Sequence, residues 1–181
     1  MKVVILAGGR GTRIQEESLV KPKPLIEIGS RPIIWHIMKT YSHYGYKEFV
    51  ICCGYKGYLI KEYFANFSLH NSDVTIDIKK NEIKVHKNNN EDWKITLVDT
   101  GDNSLTGGRI LRIKDFVDDE FFLTYGDGVA DVNISKLIEH HKTHKKIATM
   151  TIVQPQGRFG MVEFNTTTNL IENFSEKLKG D

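Results

Sequence analysis

The sequence contains 181 residues, of which 40% are hydrophobic and 27% are charged, a balance typical of one ordinary globular domain. Its 25 basic and 23 acidic residues nearly cancel, which argues against a protein that coats nucleic acid. No apolar run approaches the roughly 18 residues of a membrane span, so we expect no membrane partner. The two cysteines, Cys52 and Cys53, are adjacent and would point to opposite faces of a strand, so we expect free thiols in a reducing cytoplasm.

The hydrophobic pattern predicts strands that alternate with amphipathic helices. In chain order these are a strand at 3–7, a helix at 32–44, a strand at 49–53, a helix at 58–67, edge or hairpin strands at 74–78, 83–86 and 95–98, a helix at 108–117, a strand at 121–125, a helix at 134–144, a strand at 148–153, and a hairpin of 161–164 with 170–174. This order predicts a doubly wound α/β fold, with a mostly parallel Rossmann-like sheet and helices on both faces. Ligands of such sheets bind outside the carboxyl ends of the strands, which directs attention to the loops after 7, 53 and 125.

A glycine-rich segment with basic and hydroxyl side chains follows the first predicted strand. Its residues are Leu6, Ala7, Gly8, Gly9, Arg10, Gly11, Thr12 and Arg13. Glycine allows backbone N–H groups to approach a polyphosphate closely, and the arginines and the threonine add charge and a donor. The segment lacks the small residue at Ile14 that the dinucleotide fingerprint requires, and it lacks the Gly-Lys-Ser/Thr of a P-loop. The alternative is a turn that only reverses the chain.

Two further segments carry groups suited to phosphate and metal binding. In Lys21-Pro22-Lys23-Pro24, the alternating prolines predict a stiff extended segment, on which the two lysines point the same way. The alternative is a solvated basic loop. Asp127 lies between glycines after a predicted buried strand, and carboxylate oxygen is the ligand that Mg²⁺ prefers. A turn aspartate is the alternative there.

These segments together resemble the sugar nucleotidyltransferase family over the whole chain. The resemblance is carried by Gly-Gly-Xaa-Gly-Thr-Arg at 8–13, Pro-Lys-Pro at 22–24 and Gly-Ser-Arg-Pro at 29–32. It implies one nucleotidyltransferase core domain over 1–181 and transfer of a nucleotidyl group from a nucleoside triphosphate to a sugar 1-phosphate. Mg²⁺ as cofactor, a homo-oligomer and nucleotide-sugar supply for O-antigen and lipopolysaccharide biosynthesis are implied as well. Within the site it implies substrate contacts from Leu6 to Thr12, catalytic roles for Arg13 and Lys23, and a metal ligand at Asp127.

The loop at 98–109 favours one branch of the family. Val-Asp-Thr-Gly at 98–101 and Thr-Gly-Gly-Arg at 106–109 are similar to the branch that uses CTP and glucose 1-phosphate. In that branch the implied substrate-binding residues of this loop are Thr100, Gly101, Ser104 and Arg109. The resemblance to the family as a whole places Gly126, after the next strand, beside the nucleotide sugar. The alternative is that the hydroxyl of Thr106 only caps the start of the helix that follows this loop.

The resemblance also assigns the sugar phosphate. Gly160 would line the sugar pocket, Glu176 would contact sugar hydroxyls and Lys177 would bind the phosphate. Leu178 stands where the family usually has proline, and a charged surface run is the alternative for this lysine. The family continues beyond residue 181 and carries a second metal-binding aspartate there, so we expect this sequence to be a fragment. Transferases that use dTTP, UTP or GTP, and a non-catalytic nucleotide-binding module, remain open.

Overall fold

In this computed structural model, residues 1–9, 21–88, 90–153, 161–168 and 170–175 are described, and they form ten strands and five α-helices. The strands are β1 Lys2–Leu6, β2 Glu27–Ile28, β3 Arg31–Pro32, β4 Glu48–Cys53, β5 Ser72–Asp77, β6 Glu82–Asn88, β7 Lys94–Asp99, β8 Phe121–Tyr125, β9 Met161–Phe164 and β10 Ile171–Ser175. The α-helices are α1 Ile33–His43, α2 Gly57–Ala65, α3 Phe67–His70, α4 Thr106–Arg112 and α5 Ile134–His144. Short 3-10 helices occupy Lys23–Leu25 and Lys114–Phe116.

A four-stranded parallel sheet in the order β7-β4-β1-β8 forms the centre of the first part of the chain. From β1 the chain first adds β4 and β7 on one side, and then returns to add β8 on the other side. The strand order therefore reverses between β1 and β8, and ligands of open α/β sheets bind at such a reversal. The parallel sheet predicted from sequence is confirmed.

Helices cover both faces of this sheet, as predicted. On one face, the ring of Phe122 in β8 lies 5.3 Å from the ring of Tyr41 in α1, centroid to centroid. α2 packs on the same face, where a Cβ placed on Gly57 would lie 2.8 Å from the Cβ of Cys53. On the other face, a buried cluster joins the sheet to Ile113, the residue that directly follows α4. Its sheet members are Val4, Leu6, Val50 and Cys52.

Several helix and strand bounds differ from the sequence prediction. The helix expected at 58–67 is two helices, α2 and α3, and the one expected at 108–117 is α4 followed by the 3-10 helix Lys114–Phe116. α1 ends as predicted, before Gly45, whose φ of 89° supplies the left-handed residue that follows many helices. The strand expected at 148–153 is wrong, because these residues are mostly exposed and pair with no described strand. A strand requires a neighbour for its backbone hydrogen bonds.

The chain divides into two compact units, Met1–Ile134 and Ser135–Asp181. The single domain expected over 1–181 stays a prediction. In the second unit, β9 and β10 form the expected antiparallel hairpin. His140 and His144 are exposed on α5, whereas His141 is half-buried and its Nδ1 lies 2.8 Å from Oγ1 of Thr149. Among the described helices, none is long and apolar enough to cross a membrane.

Candidate active site

A cleft of about 560 Å³ opens beside the carboxyl ends of β1 and β8, at the point where the strand order reverses. The described residues that line it are Leu6, Gly8, Gly9, Lys23, Pro24, Ser104, Leu105, Thr106, Arg109, Tyr125 and Asp127. These come from four separate segments of the sequence, which the sheet topology brings together. The cleft lies at the edge of the sheet where the sequence analysis places the ligand.

Lys23 and Asp127 face each other in this cleft. The Lys23 ammonium lies 3.6 Å from Oδ2 of Asp127, and their side chains are 17% and 45% exposed. Lys23 begins a 3-10 turn, in which the amide of Leu25 donates to the carbonyl of Pro22 at 2.8 Å. The extended segment predicted here is therefore wrong beyond Pro22, and so is the prediction that both lysines point the same way. Lys21 instead pairs with Glu27 at 3.2 Å on the surface.

Gly126 explains how the segment that carries Lys23 meets the segment that carries Asp127. Its amide donates to the carbonyl of Leu6 at 3.0 Å, which fixes the turn after β8 against the end of β1. A Cβ at Gly126 would lie 3.0 Å from Cγ of Pro24 and 3.1 Å from the Leu6 carbonyl oxygen. Pro24 therefore contacts the Gly126 backbone closely, and this contact brings Lys23 alongside Asp127.

The end of β1 supplies the first half of the predicted phosphate loop. Gly8 and Gly9 line the cleft, and Ala7 is buried with its amide donating to the carbonyl of Cys52 at 3.0 Å. Gly9 has open space where a Cβ would stand, whereas a Cβ on Gly8 would lie 2.1 Å from Nη1 of Arg109. The absence of a side chain at Gly8 is therefore required by an arginine of this protein, before any ligand is considered.

The loop after β7 has a buried part and a cleft-lining part. Thr100 and Arg109 are buried, and their polar side-chain atoms bond to backbone and to each other. Gly101 turns the chain with a φ of 82°. Ser104 lines the cleft, and its hydroxyl accepts a hydrogen bond of 2.8 Å from Nη1 of Arg112. Ser104 is thus placed to meet a ligand directly, whereas direct base contact by Thr100 and Arg109 stays a prediction.

Comparison with known proteins identifies the fold and the family. The family model described as nucleotidyl transferase matches residues 2–181. The chain belongs to this family. It is 58% identical over 183 residues to glucose-1-phosphate cytidylyltransferase of Salmonella typhimurium. This alignment covers 100% of this chain and 70% of the relative. The chain is 44% identical over 182 residues to the probable glucose-1-phosphate cytidylyltransferase of Bacillus subtilis, with the same coverage.

Two solved structures share the nucleotidyl transferase fold. HddC from Yersinia pseudotuberculosis, complexed with GMP-PN, aligns with a TM-score of 0.57 at 20% identity over 97% of this chain and 69% of that one. UDP-glucose pyrophosphorylase, complexed with UDP-glucose, aligns with a TM-score of 0.57 at 15% identity over 98% of this chain and 68% of that one. The doubly wound α/β fold predicted from sequence is therefore confirmed.

Asp127 carries the carboxylate oxygens that Mg²⁺ prefers as ligands. Its carboxylate is partly exposed in the cleft, and Mg²⁺ at nucleotide sites is commonly held by one or two carboxylates together with phosphates and waters. Within the described ranges no group of three or more His, Cys, Asp or Glu side chains could hold a metal ion. The donor set therefore fits a metal that is completed by substrate phosphates.

Seven of the predicted site residues lie outside the described residues. They are Arg10, Gly11, Thr12, Arg13, Gly160, Glu176 and Lys177. Their roles stay predictions. Conversely, sequence reasoning did not identify Pro24 and Tyr125 as cleft residues, although both adjoin predicted ones. The sequence directs attention to the strand end at Gly54 as well, but no signal there indicates what role this glycine has.

Proposed function

We propose that the protein transfers the cytidylyl group of CTP to α-D-glucose 1-phosphate, which gives CDP-glucose and pyrophosphate. The observation that carries this proposal is the pairing of Lys23 with Asp127 in a cleft at the strand-order reversal. The identity to cytidylyltransferases from two organisms supports CTP and glucose 1-phosphate as substrates.

The reaction is an in-line displacement at the α-phosphorus of CTP. The nucleophile is a phosphate oxygen of glucose 1-phosphate, which is already ionised at neutral pH, so no general base is required. The protein then contributes positioning and charge neutralisation. Lys23 would neutralise the α-phosphate, Arg13 the leaving pyrophosphate, and Lys177 would hold the sugar phosphate. Mg²⁺ held by Asp127 would offset the negative charge of the phosphates.

The remaining predicted contacts divide between nucleotide and sugar. The segment from Leu6 to Thr12 would hold the triphosphate. The loop after β7, which carries Gly101 and Ser104, would meet the cytosine and would be supported by the buried Thr100 and Arg109. Gly126, Gly160 and Glu176 would surround the sugar. Cytosine presents a donor at N4 and acceptors at N3 and O2, and these edges differ from those of uracil, so the loop has a basis for selecting CTP over UTP.

Titration calorimetry with the nucleoside triphosphates tests the proposal. CTP is expected to bind most tightly in the presence of Mg²⁺. Equal affinity for CTP, UTP, dTTP and GTP would contradict the cytidine assignment, while binding of CTP without product formation would support a non-catalytic nucleotide-binding module instead.

Three further expectations accompany this function. We expect a homo-oligomer, which size-exclusion chromatography with light scattering tests. We expect the reaction to occur in the cytoplasm, and the two free buried cysteines fit a reducing compartment. Supply of CDP-glucose to O-antigen and lipopolysaccharide biosynthesis stays a prediction from the family resemblance.

A further inference from the structure

Arg109 links the ends of three adjacent strands beneath the cleft. Its side chain belongs to α4, and the residue is only 5% exposed. Nη2 donates to the carbonyl of Gly8, just after β1, at 2.8 Å. Nη1 lies 3.3 Å from the carbonyl of Cys53, which ends β4, and 2.8 Å from that of Gly101, just after β7. One guanidinium therefore holds β1, β4 and β7 at their carboxyl ends.

The same guanidinium fixes the start of the loop that follows β7. Nη1 also donates to Oγ1 of Thr100 at 2.7 Å, and the Thr100 hydroxyl donates in turn to the carbonyl of Cys53 at 2.6 Å. The amide of Gly101 donates to Oδ1 of Asp99 at 2.9 Å. These bonds hold the backbone at 99–101 before the chain reaches Ser104, which lines the cleft.

Two glycines make room for this arginine. A Cβ on Gly54 would lie 2.6 Å from Nη1 of Arg109, and one on Gly8 would lie 2.1 Å from the same atom. Atoms at such distances overlap, so either substitution would displace the guanidinium. At Gly54 the Cβ would also lie 2.7 Å from the carbonyl oxygen of Gly8 and 3.0 Å from that of Gly101, and backbone atoms yield less readily than a side chain.

The charge of Arg109 is not matched by an acidic partner among the described residues. Its bonds there are to carbonyl and hydroxyl oxygens, and no described carboxylate forms an ion pair with it. A buried cation with neutral partners leaves a positive potential at the cleft, which favours an anionic ligand such as a triphosphate.

We propose that Arg109 is a positioning residue for the nucleotide site, and that Gly54 is glycine because Arg109 occupies the space beside it. The inference rests on the proposed function only in naming CTP as the ligand. Arg109 sets the distance between the Gly8 backbone and the Gly101–Ser104 loop, and so the width of the slot that a base would enter. It acts through these backbone groups, and the residues of the loop make the contacts.

The test compares Arg109→Lys and Gly54→Ala with the control Lys114→Ala, which removes one exposed positive charge a few residues further along. Hydrogen exchange measured by mass spectrometry follows the amides of 99–105, and calorimetry follows CTP affinity. Arg109→Lys keeps the positive charge but loses the planar guanidinium, which donates several hydrogen bonds at once. Gly54→Ala keeps the arginine but displaces its guanidinium. Both are expected to accelerate exchange in the loop and to weaken CTP binding by roughly 10- to 100-fold, whereas Lys114→Ala leaves both unchanged.

A chemical rescue separates positioning from a general loss of structure. In Arg109→Ala, added guanidinium at millimolar concentration should recover part of the CTP affinity, because the free ion donates to the same carbonyls, and ethylammonium should not. Should Arg109→Ala fail to fold, Arg109→Lys and Gly54→Ala carry the test. The proposal would be overturned if Arg109→Lys left hydrogen exchange at 99–105 unchanged and yet lost the preference for CTP over UTP. That result would show that Arg109 contacts the base directly. Loop exchange reports on Arg109 even if CTP is not the ligand.

Discussion

Nζ of Lys23 lies 3.6 Å from Oδ2 of Asp127, so a lysine near the start of the chain faces a carboxylate at the end of β8. The contact between Pro24 and Gly126 sets this separation, because both residues directly adjoin the ion pair. In the proposed reaction, Lys23 would bind a phosphate and Asp127 would bind a metal ion beside it. The proposed chemistry therefore depends on packing between two backbone segments as well as on the two charged side chains.

Lys23→Ala is expected to lower kcat much more than it weakens CTP binding. An ammonium beside the α-phosphate acts mainly as charge accumulates in the transition state, and loss of one such donor costs roughly 10²- to 10³-fold in turnover. Steady-state kinetics with CTP and glucose 1-phosphate measures the effect. The matched control is Lys21→Ala, since Lys21 pairs with Glu27 on the surface. Equal turnover by Lys23→Ala and the parent would remove Lys23 from the mechanism.

Asp127→Asn is expected to abolish the Mg²⁺ dependence of CTP binding with little change in stability. The carboxylate is 45% exposed, and an ion pair of this kind contributes less than about 1 kcal/mol to folding. Calorimetry with and without Mg²⁺, together with urea unfolding, measures both quantities. An Asp127→Asn protein that still binds CTP in a metal-dependent manner would show that the metal ligand lies elsewhere.

Gly126→Ala is expected to destabilise the protein by about 1–3 kcal/mol and to lower turnover as well. The added methyl would lie 3.0 Å from Cγ of Pro24 and 3.1 Å from the Leu6 carbonyl oxygen, so it would force apart the segments that carry Lys23 and Asp127. Gly128→Ala is the control, because nothing lies within 4 Å of a Cβ placed there. Thermal unfolding and kinetics of the two variants should therefore differ clearly, and equal behaviour would refute the role given to the Pro24 contact.

The free energy of unfolding is expected to fall as the pH rises from about 9 to about 11. Burial raises the pKa of Cys52 and of Cys53 from 9.0 to about 11, although Arg109 lowers the value for Cys52 and Lys61 that for Cys53. The unfolded chain therefore releases these protons first, and stability is lost as the pH rises through the folded values. Urea unfolding across this range measures the slope, with the Cys52→Ala, Cys53→Ala double variant as control. The same slope in both proteins would exclude the thiols as its cause.

The regular features of the fold could be predicted from the sequence. The apolar runs at 3–7, 49–53 and 121–125 became β1, β4 and β8, since a continuous hydrophobic run with a glycine after it suits a buried parallel strand. The position of Asp127 at the carboxyl end of β8 follows from the same pattern. Such local signals sufficed to place the cleft.

Other features depend on contacts that local patterns do not encode. Lys21 and Lys23 diverge because a 3-10 turn and the Glu27 carboxylate redirect them, and proline is compatible with both the turn and the extended form. The sequence predicts that Arg109 binds a ligand from a loop. In the structure its side chain is buried, because it bonds to backbone at the ends of three strands. The two-residue strands β2 and β3 are too short to produce a periodic pattern at all.

Product analysis in a mixed reaction shows which nucleotide the protein transfers to glucose 1-phosphate. The full chain would be incubated with Mg²⁺, glucose 1-phosphate and equal concentrations of CTP, UTP, dTTP and GTP, and the nucleotide sugars separated by chromatography and identified by mass. CDP-glucose is expected as the dominant product, with an equal amount of pyrophosphate. A dominant product that carries another base would contradict the proposed function.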